Sequence, residues 1–163
     1  MHPWSVPWAM CVARGQMPSG HEPVPQSWPQ HTGSEHHRAL GRSLAAKYGG
    51  ARKTPPTLQA IEKAFDAFRA APPAEREPAR DALDGLGVVL GDHLAAIPGL
   101  VWIVVKDDEG SDPAIYGQAG ELLIYPTTYV HTHFENGEPL GAREMVADVE
   151  KRWKALTEAW EDD

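Results

Sequence analysis

Six consecutive apolar residues, Leu100-Val101-Trp102-Ile103-Val104-Val105, lie between Pro98-Gly99 and a charged stretch, Lys106–Ser111. β-Branched and aromatic side chains dominate the run, which favours a strand. With no polar residue to turn toward water, that strand has to be covered on both faces. Lys106–Ser111 then reads as an acidic turn, with Gly110 free to take positive φ. Further strands are predicted over Pro113–Gln118, Glu121–Tyr125 and Thr127–Glu135, with turns at Ala119-Gly120 and Asn136-Gly137. Connections this short join only antiparallel neighbours, because a parallel return needs a crossover of about a dozen residues or more. The expected sheet is a four-stranded antiparallel β-meander.

Helices flank it on both sides in sequence. His37–Tyr48 carries Leu40 and Leu44 on one face and stops at Gly49-Gly50. Thr54 before Pro55 reads as the cap of a second helix, in which Leu58, Ile61, Phe65 and Phe68 recur at spacings of three and four as far as Pro72-Pro73. A third, from about Pro78, carries Leu83, Leu86, Leu90 and Leu94 and ends before Pro98-Gly99. The last helix holds Met145, Val149, Trp153, Leu156 and Trp160 in one stripe, which must bury itself against the sheet. The fold class is therefore α+β: N-terminal helices, the meander, and a C-terminal amphipathic helix packed on the sheet.

Residues 1–37 differ from the rest. They hold six prolines and no periodic apolar pattern, so they read as an irregular or disordered tail to a single domain over 38–163; the alternative is that Trp4, Trp8 and Trp28 serve as local anchors or a partner motif. Charge is also uneven: residues 1–81 carry ten Lys/Arg and seven Asp/Glu, whereas residues 82–163 carry five and sixteen. The net charge of −8 argues against a general nucleic-acid binder. No apolar run approaches the roughly 20 residues of a membrane span. A single cysteine, Cys11, permits no intramolecular disulfide, consistent with a cytoplasmic protein.

The segment Leu86 to Glu138 resembles a bacterial family, domain of unknown function 3806. The matching pieces are Leu86-Gly87, Leu90-Gly91 and Leu94 on a helix, the Trp102-bearing strand, the turn Asp107-Asp108-Glu109-Gly110, Pro126, and the stretch from Val130 to Glu138. Where the family pattern has a Lys-Arg pair, this chain has His131-Thr132-His133. The resemblance implies no reaction and no catalytic residues. Gly87 and Gly91 stand four apart, and a helical glycine costs about 1 kcal/mol relative to alanine. A close approach by another element is the expected compensation, and Trp102 reads as core.

Two surfaces invite a function. Asp107, Asp108, Glu109 and Asp112 crowd one turn: either a solvated loop or an acidic patch that meets a basic partner. On the fourth predicted strand, His131 and His133 would share a face with Tyr129 and Glu135. Two imidazoles beside a carboxylate begin a zinc or other transition-metal site, with His93 and Glu121 as further ligands; a polar solvent-facing strand is the alternative. No nucleophile elbow, phosphate loop or His-Glu-x-x-His motif is present, so nothing argues for an enzyme or a cofactor. The leading expectation is a non-enzymatic protein-interaction module with a basic protein partner, in one version an immunity-like protein that occupies a toxin's positive active site. A metal- or small-ligand-binding domain at His131 and His133 is the alternative. Homodimerisation through the meander's edge is a third arrangement.

Overall fold

A computed structural model describes residues 32–108 and 110–162 of the chain. Most of the tail expected over residues 1–37 therefore lies outside the described residues, and Glu109 does too. Helix α1 spans Thr32–Gly49 and so begins six residues inside the stretch read as irregular. It is followed by α2 (Leu58–Ala70), α3 (Ala79–Ala95), β1 (Leu100–Asp107), β2 (Gly110–Gly117), β3 (Leu122–Ile124), α4 (Pro126–Glu135) and α5 (Ala142–Asp162).

The periodic leucine and phenylalanine stripes do what their spacing demands. Ile61, Phe65 and Phe68 of α2 are fully buried, and so are Leu86, Leu90 and Leu94 of α3. Burial of each such side chain is worth about 1.5–3 kcal/mol. Helix α3 also buries Val88 and Val89, so it is apolar around most of its circumference and forms the centre of the bundle. The cap of α2 is Thr57 rather than Thr54: the Thr57 hydroxyl accepts from the Ala60 amide at 3.1 Å. Thr57 stands directly before the first helical residue, whereas Thr54 lies in a bend and is separated from the helix by Pro55 and Pro56.

Glycines set the distances between helices. At the α1–α3 crossing, Gly41 and Gly85 face each other, and a Cβ on Gly85 would stand 2.9 Å from the Gly41 nitrogen. On the opposite side of α3, a Cβ on Gly87 would lie 2.6 Å from the Thr127 Cα, and one on Gly91 would enter the Trp102 ring. The close approach anticipated for Gly87 and Gly91 is thus made by α4 and β1.

The sheet has three strands, in the order β1-β2-β3, all antiparallel. Leu100 pairs with Gly117 and Asp107 with Gly110, and Ile115 then pairs with Ile124. The expected fourth strand, Thr127–Glu135, is instead helix α4. Its β-branched and aromatic residues suit a strand in isolation, but Pro126 presets the first helical turn and Gly137 ends the segment with φ of 67°. Packing decides the matter, because the glycine face of α3 accepts a helix at close range.

One sheet face, with Leu100, Trp102, Ile115, Leu122 and Ile124, joins the helical core. Helix α5 crosses the end of the bundle, burying Met145, Val146, Val149 and Trp153. Trp153 Nε1 donates to the Pro98 carbonyl at 2.8 Å, and the ring lies against Gly99 and Gly117, where the helix meets the sheet.

Candidate functional site

The apolar stripe of α5 outruns the body of the domain. Met145 and Val149 are buried and Leu156 is half-buried, but Trp160 is 56% exposed, the one large apolar side chain so exposed among the described residues. Alongside runs an open groove of about 790 Å³. Its floor is Leu58 from α2, Ile97 and Pro98 from the α3–β1 turn, and Val146 and Trp153 from α5. Its rim includes Glu150, Lys154, Thr157 and Glu161, which recur along one side of α5. At the inner end, His93 Nε2 donates to the Pro56 carbonyl at 2.7 Å, so this imidazole holds the α2 entry segment. An apolar floor bordered by carboxylates accommodates side chains that are apolar along their length and cationic at their tips.

The acidic turn is a separate surface. Asp107 closes β1, Asp108 and Asp112 are exposed, and Glu109 lies outside the described residues. The turn stands at the far end of β1 from Pro98, about 23 Å away at the rise of a strand.

The histidine face is not formed as expected, because α4 is a helix. Two residues apart on a helix means about 200° around its axis, so His131 and His133 point to different sides. His131 Nε2 meets Asp84 Oδ1 at 2.8 Å, and Asp84 Oδ2 lies 3.8 Å from His37 Nε2. His133 is buried, donating through Nδ1 to the Pro139 carbonyl at 3.1 Å; its Nε2 has no hydrogen-bond partner among the described residues. Tyr129 is buried beside it with ring centroids 4.3 Å apart, and its hydroxyl donates to the Gly141 carbonyl at 3.3 Å. Burial, with Glu144 and Glu62 nearby, pushes the Tyr129 hydroxyl well above the usual tyrosine range. Glu135 is exposed on the same helix. The structure therefore brings Tyr129 and His133 together, and separates both from His131 and from the acidic turn. Among the described residues, no group of three His, Cys, Asp or Glu side chains is placed to hold a metal ion.

Sequence reading missed a polar cluster beneath the sheet. Arg38 of α1 donates from Nε and Nη2 to the two oxygens of Asp92 on α3, at 2.7 and 2.9 Å. Its Nη1 reaches Glu35 at 2.7 Å, and Trp102 Nε1 donates to Asp92 Oδ1 at 3.0 Å. The bidentate pair joins α1 to α3, and the indole joins both to β1. Asp92 holds the Arg38 guanidinium even more firmly protonated than usual, chiefly through the side-chain hydrogen bonds. Arg38 and Asp92 are 54 residues apart, and no local motif signals their pairing.

No described helix is long and apolar enough to cross a membrane. No curated protein and no solved structure matches the chain. The model of one family, Domain of unknown function (DUF3806), matches residues 62–145, from the first half of α2 through α3, the sheet and α4 into the first turn of α5. That stretch takes in the Gly87–Gly91 face, Asp92 and Trp102, and covers half of the sequence: the chain belongs to the DUF3806 family.

Proposed function

We propose that the protein is a non-enzymatic interaction module of the bacterial cytoplasm, which holds a cationic, apolar-stemmed segment of a partner protein in the groove along α5. The observation that carries this reading is the α5 stripe, which lines an open groove through Val146 and Trp153 and continues along the helix to an exposed Trp160. Tryptophan is enriched among residues that dominate binding energy, because a large rigid surface is buried at small entropic cost. Charge supplies the partner's chemistry: Glu150 and Glu161 border the groove, and residues 82–163 carry sixteen Asp/Glu against five Lys/Arg. Such a surface speeds encounter with a basic protein and rejects acidic ones. An immunity-like role, covering the basic active site of a toxin, is one form of this reading.

The test places a photo-crosslinking amino acid at position 160 of the full chain in the native host. A basic protein should be captured, with capture falling as salt rises and lost in the Glu150→Lys/Glu161→Lys variant. Capture indifferent to salt and to both substitutions, or no capture from position 160, would refute the reading.

A further inference from the structure

The rim of the α5 groove is a patterned row. Glu150, Lys154, Thr157 and Glu161 border it at steps of four, three and four, which keeps all of them within about 60° of the helix circumference. The charges along the row alternate: acid, base, acid. Glu150, Lys154 and Glu161 are exposed. Among the described residues, α5 forms ion pairs through Arg143, to Glu62, and Arg152, to Asp148, and through none of these three. Beside the row, Val146, Trp153 and Trp160 follow one another at steps of seven, the first two in the groove and the third exposed. We propose, on the reading of this groove as the partner's seat, that the bound segment is an amphipathic α-helix laid along α5. It presents an acid between two cations to the rim and an apolar stripe to the floor.

Backbone chemistry selects a helix. The groove is bordered by α2, α3, the α3–β1 turn and α5, and none of its lining residues lies in a strand. An extended segment would find no strand edge to pair with, and would press its amides and carbonyls against apolar side chains without partners. A helix satisfies its own backbone and can offer a side-chain stripe to such a floor. Spacing agrees. Glu150 and Glu161 stand eleven residues apart on α5, a rise of about 16 Å. An extended chain covers that distance in about five residues, an odd number that sends its two cations to opposite faces. In a helix, positions i, i+4 and i+11 return to one side, as they do on α5 itself. The row also disfavours a second copy of α5. Two such helices laid antiparallel, with Lys154 opposite Thr157, would set Glu150 of each against Glu161 of the other.

The test maps where the partner is caught. A photo-crosslinking amino acid is placed at position 150 or 161 of the full chain in the native host, and mass spectrometry locates the residue joined on the captured protein. The two sites should lie about eleven residues apart. A synthetic peptide spanning them should gain helical circular dichroism on binding the full chain. Lys154→Glu should weaken that peptide's binding about two- to fivefold at low salt and barely at high salt, because it sets like charges against each other where an exposed pair had formed. A uniformly basic segment would instead bind the Lys154→Glu variant more tightly, which would overturn the proposal. Sites about five residues apart, or cross-links between two copies of the chain, would overturn it too while leaving the groove in use. No capture from 150, 160 or 161 would refute the groove as the partner's seat, and the helix with it.

Discussion

Removing Asp92 should cost more than removing any other single polar group of the described fold. Its carboxylate accepts from Arg38 twice, at 2.7 and 2.9 Å, and from Trp102 at 3.0 Å, so Asp92→Ala breaks all three bonds together. Arg38 is 8% exposed and stays charged at any workable pH, so its charge cannot be discharged to relieve the loss. Breaking a fully buried pair costs about 3–5 kcal/mol. The Asp92 side chain is 22% exposed and Glu35 still meets Arg38 at 2.7 Å, which lowers the expectation to about 2–3 kcal/mol. Urea unfolding followed by circular dichroism reads this as a fall in midpoint of about 1 M or more. Arg38→Met removes the charge but keeps the aliphatic stem and should cost about 1 kcal/mol, because no buried cation is left behind. The two changes combined should cost clearly less than their sum. Losses below about 0.5 kcal/mol for Asp92→Ala, or strict additivity in the cycle, would refute the claim that this cluster joins α1, α3 and β1.

Other consequences are equally specific. Gly91→Ala drives a methyl into the Trp102 ring and should lower stability by about 1–3 kcal/mol, despite alanine's better helix propensity; thermal unfolding reads the sign directly. Thr57→Ala should cost about 1 kcal/mol and Thr54→Ala close to nothing in the same assay, since only Thr57 caps α2. Tyr129 is held protonated above its unfolded-state range, so its contribution is complete below pH ~10 and is lost as pH rises beyond that value. Tyr129→Phe should remove that part of the alkaline decline in urea midpoint, at a cost near neutral pH of about 1 kcal/mol for the hydroxyl bond to Gly141. Trp160→Ala should leave the unfolding midpoint within about 0.5 kcal/mol of wild type while weakening partner capture, because the side chain is mostly in water.

Much of this architecture was legible in the residues. Leu83, Leu86, Leu90 and Leu94 can share a face only on a helix, and Leu100–Val105 has no polar residue to spend on water, so α3 and β1 follow from pattern alone. The stripe of α5 was equally plain, but its last member, Trp160, does not bury itself with the others as the spacing demands: it is 56% exposed. Helix α4 was misread because Thr, Tyr, Val and Phe in Thr127–Phe134 favour strands locally, while the deciding partner, the Gly87–Gly91 face, lies some forty residues upstream. The signs of a helix were present in Pro126 at its first position and in the pairs Tyr129/His133 and Val130/Phe134, four apart. That error created the shared histidine face, since a period of two aligns His131 with His133 and a period of 3.6 divides them. The Arg38–Asp92 pair left no trace, because contact between residues 54 apart is a property of the fold rather than of any local spacing.

Hydrogen–deuterium exchange of the full chain, with and without the partner captured at position 160, tests the interaction surface most directly. Binding should slow exchange in the last turns of α5 and at Ile97 and Gly99, with the β1–β2 hairpin unchanged. Protection confined to Lys106–Asp112 or to α4, with α5 exchanging as in the free protein, would contradict the account.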